Sequence, residues 1–132
     1  MRIKMKLKSI FLACLSATAL SGCLSVPIEE LQPTADQETI DTAIEHLSDI
    51  KGMTITENGV IYYVESLPGN SRWSTVHISE LSYRYSCEDL RWFVDRGMIV
   101  RMRFQGNSGT TQDYDLERCE TESPTKLYES KQ

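Results

Sequence analysis

The chain has 132 residues, with 14 Lys and Arg against 19 Asp and Glu, and a net charge of −5. Every acid lies after residue 22 and four of the 14 basic residues lie before it, so the part after residue 22 carries −9. So acidic a surface excludes nucleic acid and electrostatic adhesion to anionic lipid as its work, and its length suits one domain.

The N-terminus reads as an address. Arg2, Lys4, Lys6 and Lys8 open the chain, and Ile10 to Leu20 follow without a charge. That run has the length of a signal-peptide apolar region and is too short to span a bilayer. No later apolar run is longer. Leu20-Ser21-Gly22-Cys23 comes next. The whole resembles a bacterial lipoprotein signal with its lipobox, which implies diacylglycerol on the Cys23 sulfur, cleavage before Cys23 and acylation of the new amino terminus. Two or more acyl chains hold a protein firmly, at about 0.8 kcal/mol per buried CH₂. Among such lipoproteins an aspartate after the cysteine favours retention in the inner membrane. Leu24 stands there instead, so the resemblance implies the periplasmic face of the outer membrane.

Four regions are expected: a cleaved signal peptide over 1–22, a lipidated flexible tether over 23–35, one folded domain over 36–122 and a polar tail over 123–132. Pro27, Pro33, Ser25 and Thr34 mark the tether. Thr34-Ala35-Asp36-Gln37 has the pattern of a capping box. The helix after it carries Ile40, Ala43, Ile44, Leu47 and Ile50 on one stripe and stops at Gly52. Met53 to Glu57 and Val60 to Glu65 are strand-like runs joined by Asn58-Gly59, a strong hairpin signal when both residues take positive φ. Ile78, Leu81, Ser82 and Tyr85 predict a helix from about Val76 to Cys87.

The last third reads as a meander. Leu90 to Val94 forms a short strand, or else residues 88–94 extend the preceding helix, which decides between five strands and four. Met98, Val100, Met102 and Phe104 alternate with Ile99, Arg101, Arg103 and Gln105 across a half-buried strand. Thr110 to Glu117 makes a final strand with Asp113, Asp115 and Glu117 on its solvent face. Those acids are better read as a solvated face than as a calcium site, and Arg101 and Arg103 as their cross-strand partners. The fold class is therefore α+β: an antiparallel sheet of four to five strands, an N-terminal hairpin plus a C-terminal meander. Two or more helices pack mainly on one face.

Of the four cysteines, Cys14 leaves with the leader and Cys23 takes lipid. Cys87 and Cys119 remain in an oxidising compartment, so a disulfide is expected. Closing the loop between them is worth roughly 3.5–4 kcal/mol in the chain-entropy treatment. His46 and His77 have no nucleophile motif beside them, and no phosphate-binding glycine loop or zinc-protease helix occurs. The sequence predicts no enzyme, metal, cofactor or small-molecule substrate. Ile61, Tyr63, Trp92 and Phe93 are candidate partner contacts, because a strand over 90–94 turns Trp92 and Phe93 to opposite faces.

From Ile61 to Cys119 the chain resembles the AspS-type pilotins of bacterial type II secretion, also called GspS-beta. The carriers are the strand Ile61-Tyr62-Tyr63-Val64 and a helix with Leu81, Tyr83 and Cys87. After them come Gly97, the alternating strand and Leu116-Glu117-Arg118-Cys119. The resemblance implies an outer-membrane lipoprotein of mixed sheet-and-helix fold. Its partner would be the secretin's C-terminal S-domain, disordered when free and helical when bound, and its task the targeting and assembly of the secretin ring. Other readings are a lipoprotein inhibitor of the lysozyme-inhibitor class and an accessory lipoprotein of another envelope complex.

Cys23→Ser is expected to leave a precursor that fractionates away from membranes, and globomycin to block processing of the wild-type chain. A membrane-bound Cys23→Ser product, or unchanged processing under globomycin, contradicts lipidation.

Overall fold

The structure, a computed structural model, describes residues 25–122. The leader, Cys23, Leu24 and the tail over 123–132 lie outside the described residues. A 3₁₀ turn at Ile28–Glu30 leads to α1 (Gln37–Leu47), then β1 (Met53–Ile55) and β2 (Val60–Ser66). A long connection carries α2 (Thr75–Tyr83), a π-helical turn (Arg84–Asp89) and α3 (Arg91–Val94). The chain finishes with β3 (Ile99–Gln105), β4 (Thr111–Tyr114) and α4 (Leu116–Thr121). The fold is α+β, with one four-stranded sheet in the order β1-β2-β3-β4.

Two of the three strand pairings are antiparallel, β1 with β2 and β3 with β4, while the central pair β2 and β3 runs parallel. Parallel neighbours need a crossover of a dozen or more residues, and residues 67–98 supply it. The crossover helices cover one face of the sheet. Ile61, Val100, Met102, Phe104 and Tyr114 point into that layer and meet Trp73, Ile78, Leu90, Phe93 and Val94 in a single apolar core. Ile40, Ala43 and Leu47 bring α1 into the same core. Ile44 and Ile50, expected on the same stripe, stay 44% and 43% exposed.

Helix α1 begins two residues later than the capping box implies. The Asp36 carboxylate accepts the Thr39 N–H at 2.9 Å and is the cap. Hydrogen bonding from the Thr39 side chain and from its N–H holds Asp36 below the usual carboxylate range. Thr34 serves a different contact, donating its N–H to the Gly97 carbonyl at 2.8 Å. The hairpin at Asn58-Gly59 forms, but only Gly59 takes positive φ, at 100°. The turn closes with the Gly59 N–H on the Thr56 carbonyl at 3.1 Å, and the single left-handed residue acts as a bulge glycine.

Residues 90–94 are helical, so the strands number four. Leu90, Phe93 and Val94 are buried and Trp92 is exposed, the spacing of one helix face. The preceding helix ends at Tyr83 and widens into the π turn, where the Leu90 N–H reaches the Tyr85 carbonyl at 2.9 Å, an i to i+5 bond. The final strand is also shorter than expected. Asp115 turns its carboxylate onto the Arg118 N–H at 2.8 Å and caps α4. Asp113, Asp115 and Glu117 therefore do not share a strand face. Asp113 stays on β4, Asp115 is a helix cap, and Glu117 occupies the first turn of α4.

Cys87 and Cys119 are joined, with 5.3 Å between their Cα atoms. The bridge ties the π turn to α4, and both cysteines are buried. Replacing both by serine is expected to lower unfolding free energy by about 3–4 kcal/mol, read from denaturant midpoints, and to speed amide exchange along β4 and α4 first. Unchanged midpoints would show that α4 is held without the bridge.

Candidate partner-binding face

Alternation along the strands gives the sheet a second face that no helix covers. Register places Thr54, Tyr62, Arg101 and Asp113 in one row across all four strands. The next row is Val64, Arg103 and Thr111. The Phe104 N–H donates to the Thr110 carbonyl at 2.8 Å. Ladder bonds alternate in an antiparallel pair, so Arg101 and Asp113 form a non-hydrogen-bonded pair, in which side chains come closest.

That closeness is used. The Arg101 guanidinium meets Asp113 with two bonds, Nε to Oδ1 at 2.7 Å and Nη2 to Oδ2 at 2.8 Å. Arg101 is only 6% exposed, and the Asp113 bonds raise its pKa further above the ordinary arginine value despite burial. The cross-strand pairing expected from the sequence holds for Arg101. Arg103, also expected to pair, is exposed and has no carboxylate partner among the described residues.

The segment before α1 forms a wall over this face. Its 3₁₀ turn closes with the Glu30 N–H on the Pro27 carbonyl at 2.9 Å. Asn58 Nδ2 donates to the Leu31 carbonyl at 3.4 Å, and Thr34 bonds Gly97 as above. Two glycines admit the strap. A Cβ on Gly59 would approach Pro33 Cβ to 3.1 Å, and one on Gly97 would collide with Thr34 and Ala35. Both carry positive φ, at 100° and 97°, so side chains are disfavoured there twice over. Residues 28–35, expected as slack tether, are thus laid along the domain. Between the strap and the β3–β4 hairpin lies an open groove of about 1070 Å³. Val26 and Ile28 form its wall, and Tyr62, Arg101 and Arg103 line its floor.

The four residues nominated from the sequence do not come together. Ile61 is wholly buried in the core and Phe93 nearly so, so neither offers a contact surface. Tyr63 faces the helices, edge-on to Tyr85 at 5.8 Å between ring centres, and donates its hydroxyl to Glu65 at 3.0 Å. Burial and that carboxylate push its pKa up to about 12. Trp92 alone is open, 46% exposed, with the Arg96 guanidinium stacked 3.7 Å from its ring centre. The sequence reading missed Tyr62 and Val26, and it gave Arg103 only a structural part. The signal for Tyr62 was present: it alternates with Ile61 and Tyr63, so if they face the core it faces away.

Among the described residues no group of three His, Cys, Asp or Glu side chains gathers to hold a metal ion, and no helix is long and apolar enough to cross a membrane. The chain matches no protein-family model, no curated protein and no solved structure.

Removing one member of the Arg101–Asp113 pair strands the other. Asp113→Ala is expected to lower stability by about 1.5–3 kcal/mol, the range for bonds to a charged group, whereas the double change Arg101→Met with Asp113→Val stays closer to wild type. Thermal melts of the three proteins decide this. A double variant that loses more than Asp113→Ala, by the added cost of changing Arg101, would show that the two residues act separately.

Proposed function

We propose that this chain is a lipid-anchored assembly protein of the pilotin kind. It binds the C-terminal S-domain of a type II secretion secretin and promotes the secretin's targeting and assembly at the outer membrane. Three things support the reading: the lipobox-like Leu20 to Cys23, the resemblance over Ile61 to Cys119, and the open face of the sheet. The observation that carries it is the position of the strap. Ser25 and Val26 form part of the groove wall, and Cys23 lies two residues upstream of Ser25, within about 7 Å of extended chain. A lipid on Cys23 sets the open face at the bilayer surface, where a membrane-bound partner is assembled. Holding both partners at one membrane raises their effective concentration without any added contact. A partner segment that folds on binding gives up affinity to ordering and gains specificity from wrapping. The four-stranded sheet ends in β1 and β4 and lacks the closure of the small barrels typical of lipoprotein inhibitors.

The test is a deletion strain and a pull-down. Loss of heat-resistant secretin multimers from the outer membrane on deletion, together with capture of the secretin by the lipidated protein, is the expected result. Normal multimers in the right membrane, with no capture, would remove the proposal.

A further inference from the structure

The two edges of the sheet are finished differently. On β4 the Asp113 carbonyl faces outward, as the non-hydrogen-bonded pairing with Arg101 requires, and Arg118 Nη1 donates to it at 2.7 Å. On β1 no side chain plays that part. The Val64 N–H donates to the Gly52 carbonyl at 3.0 Å and the Thr56 N–H to the Val60 carbonyl at 2.9 Å. Ladder bonds fall on alternate residues, so Thr54 turns its backbone to β2, while Met53 and Ile55 turn theirs away from the sheet. The Met53 N–H is taken by the Ile50 carbonyl at 3.1 Å. The Met53 carbonyl and both backbone groups of Ile55 have no protein partner among the described residues.

The surroundings of that edge are apolar. Ile50 lies beside it, since its carbonyl reaches Met53 from the outer side. Helix α1 packs next to β1. Its Thr39 and Thr42 share a cleft with Trp92 and Arg96, so the flank that carries Ile44 is the one turned away from α3. Ile44 and Ile50 are two of the four most exposed large apolar side chains among the described residues. Charge then selects the occupant. Lys51 stands three positions before Thr54 and Glu57 three positions after it. Both are exposed, and neither forms an ion pair among the described residues. When β1 is laid antiparallel on its own copy with Thr54 opposite Thr54, Met53 falls opposite Ile55 and Lys51 opposite Glu57, each twice about the two-fold axis. Each Ile55 N–H then meets the other copy's Met53 carbonyl. Sliding the pairing so that Ile55 faces Ile55 puts Lys51 opposite Gly59 and loses both charge pairs. A three-residue edge is too short to hold an arbitrary strand. Its occupant has to bring apolar and charged contacts in matching order, and this chain carries both.

We propose that β1 pairs with β1 of a second copy of this chain, antiparallel about Thr54. Two four-stranded sheets become one continuous sheet. The two-fold axis stands perpendicular to it, so Ile44 and Ile50 of both copies pack over the join on the helix side. The inference does not rest on the assembly reading above.

The experiment is disulfide cross-linking of the full chain, read as dimer on a non-reducing gel after a mild oxidant. Opposed residues of a non-hydrogen-bonded pair have Cα atoms about 4.5 Å apart, within reach of a disulfide. Thr54→Cys is therefore expected to cross-link at least tenfold faster than Thr110→Cys, an exposed position on the β3–β4 hairpin across the sheet. The wild-type chain, with the same native cysteines, is the blank. Lys51→Glu in the Thr54→Cys background is expected to slow cross-linking at least fivefold by setting two acids opposite each other, and adding Glu57→Lys is expected to restore it. Thermal melts of these variants are expected to match wild type, since Lys51, Thr54, Glu57 and Thr110 are all exposed. Cross-linking of Thr54→Cys no faster than Thr110→Cys overturns the proposal. So does a fast cross-link that Lys51→Glu leaves unchanged, because the charges then have no part in choosing the partner.

Discussion

The parallel pairing of β2 with β3 constrains everything else in this fold. An antiparallel neighbour can be reached by a tight turn, which commits neither face of a sheet. A parallel neighbour forces the chain back to the starting end, and here residues 67–98 make that journey as α2, the π turn and α3 on one side. The helices then bury Ile61, Val100, Met102 and Phe104 to a few per cent exposure or less. The other side is left with Tyr62, Arg101 and Arg103 on the two central strands. One connection thus decides which side of the sheet packs under the helices and which is left to the strap.

The two ends of the crossover layer are secured by different means. Cys87 sits in the π turn and is bonded to Cys119 of α4, so a helix late in the sequence is pinned to the middle of the crossover. That covalent link positions Arg118, which lies one residue before Cys119 and closes the β4 edge through the Asp113 carbonyl. Arg118 also bonds Glu122 one turn on at 2.8 Å, and Tyr114 donates its hydroxyl to the same carboxylate group at 3.0 Å. Burial above all, and also that carboxylate, push the Tyr114 pKa upward. A six-residue helix has little stability of its own. Here it persists because a disulfide, a side-chain cap and a charged clamp all act on it.

How much of this was legible follows from the range over which each signal acts. The period-two pattern of β3 and the Ile40, Ala43 and Leu47 stripe of α1 are local and stand where the residues imply, while Ile44 and Ile50 fall outside that stripe. The run Leu90 to Val94 is also local but five residues long, and at that length a buried strand and a buried helix turn look alike. The acids at Asp113, Asp115 and Glu117 mislead for a related reason. Their alternation mimics a strand face, while the Asp115 to Arg118 spacing, which is the real cap, spans only one turn. The parallel register leaves no mark on either strand, because it is set by the path between them. The helix-free face was half visible. Arg101 and Arg103 alternate with core residues, and Tyr62 does the same on β2. The strap that makes the face a groove was not, since its docking depends on two glycines, Gly59 and Gly97, that lie far away in sequence.

That docking changes what the tether does. A slack linker of a dozen residues lets a domain wander several nanometres from its anchor and in any orientation. A strap held at Leu31 by Asn58 and at Thr34 by Gly97 removes that freedom from residue 31 onward. What remains before it is eight residues from Cys23, about 28 Å when fully extended, and less because Ile28–Glu30 is turned. On the proposed reading the domain therefore hangs close to the bilayer with its open face near the anchor. On that reading a partner arriving along the membrane is favoured over one arriving from the bulk periplasm. On the same reading the acidity of the rest of the surface acts in the same direction, since it repels anionic headgroups and keeps the groove from lying flat against a bilayer.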